Sequence, residues 1–148
     1  MENPKITWFV NEIVDDNYEF VPKFKHDVEE SFTSGEYMKL RVQVWNNRGG
    51  NEDVFDAVNA QLVAYFKSYE DTQLLNLCKI RQGESDFEEM IIDIDRAVLD
   101  IGTIFGRSNN GTEMNKDNYK EFELQFGPIP SNIRSELKGL ILDVEYDN

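Results

Sequence analysis

Met38, Leu40, Val42 and Val44 occupy every second position of residues 38–46, with Lys39, Arg41 and Gln43 between them. A strand turns successive side chains to opposite faces, so this stretch has one apolar face and one wet face. It runs into Asn47-Arg48-Gly49-Gly50-Asn51, whose composition is that of a turn with glycines free to take positive φ. The same period returns at Phe122/Leu124/Phe126 and at Leu140/Leu142/Val144/Tyr146. Such a chain is a scaffold of half-buried strands.

The length, 148 residues, fits one domain. A hydrophobic content of 40% with 12% aromatics is too high for a disordered chain. Acidic residues outnumber basic ones 29 to 15, a net charge of −14. That balance disfavours nucleic acid and anionic membranes, which need clustered Lys and Arg, and leaves protein partners. Its plainest meaning is a solubilising surface. Cys78 is the single cysteine, so no intrachain disulfide forms and a reducing compartment suits the chain. No signal-like or membrane-spanning apolar run is evident, and synthesis in a bacterial or host cytoplasm is the expectation.

Residues 1–35 read as an N-terminal arm or add-on hairpin, and 36–148 as the sandwich domain. Ile6, Trp8 and Val10 alternate ahead of the acidic turn Asp15-Asp16-Asn17. Residues 18–25 alternate too, but Pro22 cannot donate a ladder hydrogen bond and belongs at an edge. Residues 27–32 suit one helical turn. Residues 51–68 carry two patterns. Val54, Phe55, Val58, Leu62, Tyr65 and Phe66 have helical spacing, whereas Val58, Ala60, Leu62, Ala64 and Phe66 alternate. The preferred reading is a turn or short helix at 51–57 followed by a strand at 58–67. Further strands are expected at 74–81, at 90–94 and 97–105 (one long strand or two consecutive ones), at 119–126 and at 138–146, with a loop at 106–118 and a short helical connection at 131–137. The fold class is mainly all-β, a two-sheet sandwich of immunoglobulin-like or jelly-roll type with short helical connections. The alternative is α+β with a helix at 51–68.

Chemistry-bearing residues are few. His26 is the only histidine, and Cys78 alternates with Asn76 and Ile80 as a small core residue. One His and one Cys assemble none of the usual zinc sets. Asp93, Asp95 and Asp100 offer carboxylates, but a chain with 29 acids contains accidental pairs. Asp15-Asp16-Asn17 and 109–117 with Glu113 could supply oxygen ligands to calcium, without EF-hand spacing. The expectation is no catalytic residue, no cofactor and no metal. Partner contact falls to Trp8, Phe9, Trp45, Arg48 and Tyr69. Trp45 stands out because it shares the strand face of Arg41 and Gln43.

From Lys39 the order is a strand, Asn46-Asn47-Arg48-Gly49, a variable stretch to Asp56-Ala57-Val58-Asn59, and the strand 60–66. This resembles the B-to-C region of immunoglobulin-like sandwiches of bacterial adhesion and extracellular modules. Val98-Leu99-Asp100-Ile101-Gly102 and the later strands are similar to their E, F and G strands, so the resemblance spans about residues 37–147. Free-standing sandwiches made in the cytosol also resemble virion components of tailed phages. What the resemblance implies is a non-enzymatic assembly protein such as a head-decoration, collar or tail accessory subunit. In it the arm and the loops 47–57 and 106–118 would contact other subunits of an oligomer. A small acidic inhibitor or immunity protein covering a basic toxin or nuclease site is the alternative. A carbohydrate-binding sandwich using Trp45 or Trp8 comes third.

Overall fold

The alternating segments become strands, and the computed structural model describes residues 1–23, 27–31, 37–67, 75–112, 115–128 and 136–147. In chain order these are β1 (Ile6–Val14), β2 (Asn17–Lys23), β3 (Asp27–Ser31), β4 (Met38–Asn46), β5 (Ala57–Phe66) and β6 (Cys78–Gln82). There follow β7 (Glu88–Glu89), β8 (Ile91–Asp93), β9 (Arg96–Ile104), β10 (Tyr119–Phe126) and β11 (Glu136–Asp147). They form two antiparallel sheets, a six-stranded one in the order β2-β1-β4-β10-β6-β7 and a five-stranded one in the order β3-β11-β5-β9-β8. The protein is therefore mainly β. Helical structure among the described residues is confined to single 3-10 turns at 75–77 and 116–118.

The core lies between the sheets and is built from the alternating positions. Leu40, Val42 and Val44 of β4 meet Phe122, Leu124 and Phe126 of β10 on one side, and Leu62, Ala64, Leu140 and Leu142 on the other. Phe66 and Phe126 touch edge to face across the sheets at a centroid distance of 6.4 Å. Residues 1–35 contribute β1, which pairs directly with β4 and buries Trp8 and Val10 in this core, while β2 extends the sheet outward. Asp15 and Asp16, with φ of 49° and 67°, make the tight turn between them.

The strand reading of 58–67 holds, since β5 pairs with both β9 and β11. The helix considered for 51–68 and the shorter one for 51–57 are absent. Asn47 Nδ2 donates to the Glu52 carbonyl at 2.8 Å and Asn46 Nδ2 to that of Phe55 at 3.1 Å, taking acceptors that a helix would use internally. Residues 27–31 form β3 against β11 rather than a helical turn, because ladder partners from a distant strand outweigh local preference. Residues 131–135 lie outside the described residues, and Glu136 already belongs to β11. In 74–81 the strand starts only at Cys78, after a 3-10 turn that buries Leu75. No helix of the described residues is long and apolar enough to cross a membrane.

Candidate functional site

The outer face of the six-stranded sheet follows from register. Trp45 sits opposite Thr7 of β1 and Tyr119 of β10, and Gln43 sits opposite Phe9 and Glu121. Four side chains are linked in a row. Trp45 donates its indole N–H to Gln43 Oε1 at 2.9 Å, Gln43 donates to Glu121 Oε1 at 2.9 Å, and Arg41 donates to Glu121 Oε2 at 2.8 Å. Trp45 stacks on Tyr119 with centroids 4.5 Å apart and an interplanar angle of 19°. Sequence alternation marked Trp45 as facing outward, and it does, yet it is 1% exposed. Its covering comes from Tyr119 on one flank and from Arg48.

Arg48 is the centre of the site. Its guanidinium lies 4.0 Å from the Phe9 ring centroid and 4.7 Å from that of Trp45, cation–π distances. The residue itself is exposed. Four other described arginines each hold a carboxylate: Arg41 with Glu121 (2.8 Å), Arg81 with Glu123 (3.1 Å), Arg96 with Glu145 (2.6 Å) and Arg107 with Asp117 (3.0 Å). Among the described residues Arg48 pairs with none. Partial burial lowers its pKa from the ordinary arginine value. It stays charged, because arginine starts so far above neutrality.

A set of asparagines makes the loop around Arg48 rigid. Asn46, Asn47 and Asn118 are buried, and their amides reach into loop carbonyls. Asn118 Nδ2 lies 3.1 Å from Asn46 O, 3.1 Å from Phe105 O and 2.8 Å from Arg107 O. Asn47, at a φ of 60°, directs Nδ2 at Glu52, Gly106 and Arg107 carbonyls. Asn109 clamps the Arg48 turn, accepting from Gly49 N at 3.0 Å and donating to Asn47 O at 2.6 Å. Two glycines are obligatory here: a Cβ on Gly50 would overlap the Asn47 amide, and one on Gly106 would overlap the Val54 and Phe55 carbonyls. The loop residues 47–56, 105–112 and 115–118 thus form one hydrogen-bonded end of the sandwich.

Of the five residues singled out by sequence, three meet: Phe9, Trp45 and Arg48. Trp8 is 1% exposed and points into the core, so it offers no surface. Tyr69 lies outside the described residues, as does His26. Sequence reasoning missed Tyr119 and Glu121, which join the Trp45–Gln43 face only through strand pairing. It also read the asparagines as loop composition rather than as buried donors. Elsewhere, Asn59, Gln61, Asp100, Glu145 and Asp147 line an open depression of about 650 Å³. There Gln61 holds Asp100 and Asn59 holds Asp147, both at 2.8 Å. No group of three or more His, Cys, Asp or Glu side chains is arranged to hold a metal among the described residues.

No family model matches the chain, and no curated protein matches it. A solved structure described as "AvmM Catalyzes Macrocyclization in Alchivemycin A Biosynthesis" is similar over 84% of this chain and 74% of that one, with a TM-score of 0.37 and 10% identity. That protein is a biosynthetic enzyme and not a virion component. The expectation of a non-enzymatic, viral assembly subunit, with its inhibitor alternative, is corrected accordingly: it rested on fold analogy, and fold does not fix function. At this TM-score the likeness carries no argument about what this chain itself does.

Proposed function

We propose that this chain is a recognition module that holds a protein partner at the loop end of the sandwich, with Arg48 as the contacting cation. The observation that carries this reading is the Arg48 guanidinium, seated over Phe9 and Trp45 and unpaired with any carboxylate among the described residues. Rings on one side orient the planar fork and leave its donors for a carboxylate brought by the partner. The asparagine network keeps the turn in place before binding, which lowers the ordering cost of association. The sandwich closure is taken to be of the jelly-roll or immunoglobulin-like type. Support comes from consecutive β4, β5 and β6 alternating between the sheets, and from the pairing of β4 with β10 and β5 with β9.

Affinity capture from lysate of the producing cells tests the function, with wild-type, Arg48→Lys and Arg48→Gln proteins as baits. The expected result is a partner recovered by wild type, retained weakly by Arg48→Lys and reduced roughly tenfold or more by Arg48→Gln, at equal melting temperatures. Equal recovery by all three baits, or none by wild type, overturns the proposal.

A further inference from the structure

Among the described residues strand β8 ends the five-stranded sheet and pairs on one side only, with β9 through Ile91↔Val98, Ile92↔Ala97 and Asp93↔Arg96. Asp93 and Arg96 close a two-residue loop, so they share the hydrogen-bonded pair and the pattern alternates from there. The N–H and C=O of Ile92 therefore face away from β9. Protein edges are ordinarily blunted by charged side chains (Lys above all), Pro, a bulge or short length, and of these β8 has only its three-residue length and the carboxylate of Asp93. The opposite margin of the other sheet has Pro22 on β2, but residues 88–95 contain neither Lys nor Pro.

The side chains on this edge are apolar and uncovered. Ile92 lies opposite Ala97, which is fully buried, yet Ile92 is 41% exposed because no strand of the described residues lies beyond it. Ile91 is 70% exposed and Ile94 91% exposed. Ile94 also has a φ of 58°, a position that hairpins give to glycine and that a β-branched residue adopts only under strain. Among the described residues nothing offsets either the strain or the exposure. Exposed Glu88, Glu89, Asp93 and Asp95 rim the patch. That rim repels a second copy of this acidic chain and matches a cationic strand.

We propose that the β8 edge, with Ile91, Ile92 and Ile94, docks an extended partner segment in which aliphatic residues alternate with Lys or Arg, added as a further strand. The backbone of Ile92 would hold the strand, the isoleucines would pack on its aliphatic positions, and the acidic rim would select its charge. This site is separate from Arg48, and each stands or falls alone.

The probe is a synthetic peptide of about nine residues alternating Lys and Val, against a control with Glu in place of Lys, titrated into the 15N-labelled protein. Expected are saturable shifts confined to β8, β9 and the Ile94 turn, slower hydrogen exchange at the Ile92 amide, and no binding of the Glu peptide. Ile92→Pro removes the outward donor and Ile94→Asn removes the apolar contact while tolerating the left-handed turn; each is expected to weaken binding roughly tenfold or more. Ile94→Asn relieves the positive-φ strain and is expected to keep or raise the melting temperature, which separates a loss of binding from misfolding. Unchanged affinity in Ile94→Asn, or shifts spread over the whole acidic surface, overturns the proposal. So does a wild-type dimer in sedimentation that Ile92→Pro dissolves, which would assign the edge to a second copy.

Discussion

Single asparagines decide the loop end of this protein. Asn118 is 3% exposed and surrounds its amide with three carbonyl oxygens, so the side chain must be a donor there. Replacing it with Asp keeps the shape and puts an acceptor against acceptors. Asn118→Asp is expected to destabilise by about 3 kcal/mol, more than Asn118→Ala, by urea unfolding at neutral pH. The lesser loss in Asn118→Ala comes from unsatisfied carbonyls alone. Trp45 teaches the complementary lesson. Its outward direction was legible from alternation with Arg41 and Gln43, but its burial was not, because Tyr119 and Arg48 reach it from β10 and a turn.

At the scale of elements, β6 offers the clearest readout. It begins with Cys78, paired opposite Phe126 of β10, and the residue is 3% exposed. Burial pushes its pKa up from 9.0 to about 12. The native thiol is thus neutral at pH 8, and a thiol-specific reagent is expected to label it only as β6 opens, with full labelling in denaturant. Immediate native labelling would show that β6 does not cover it. The raised value also has a stability sign. The folded state keeps the proton longer than the unfolded one, so this contribution is intact below pH 9 and is lost as pH rises from 9 toward about 12. Strand periodicity alone reached most elements, including β4, β10 and the outer part of β11. It failed where partners override local preference, as in β3, and it left 51–57 open between a turn and a short helix, where buried side chains capture loop carbonyls and no helix forms.

Across the whole molecule, charge dominates. A net charge of −14 on 148 residues means carboxylates repel one another in the folded state more than in the expanded one. Adding salt from about 10 to about 300 mM is expected to raise the melting temperature by a few degrees through screening, despite weakening exposed pairs such as Arg107–Asp117. A falling melting temperature would mean that the surface ion pairs outweigh the repulsion. Cations confined to a few places make local fields matter. Among the described residues Arg48 stands over rings without a counter-charge, whereas the β8 edge is apolar inside an acidic rim.

The amino-acid sequence by itself determined the alternating strands, the two-faced character of β4 and β10, the turn at Asn47–Gly50 and the acidic surface. Each of these depends on residue spacing or on a sum over residues, and both are local or global properties of the chain as written. Only the tertiary structure decided that Trp8 is core while Phe9 and Trp45 support Arg48, that loop asparagines are buried donors, and that β8 ends a sheet uncovered. Those outcomes depend on which distant strand lies alongside, and register between strands far apart in the chain is set by packing rather than by any short pattern.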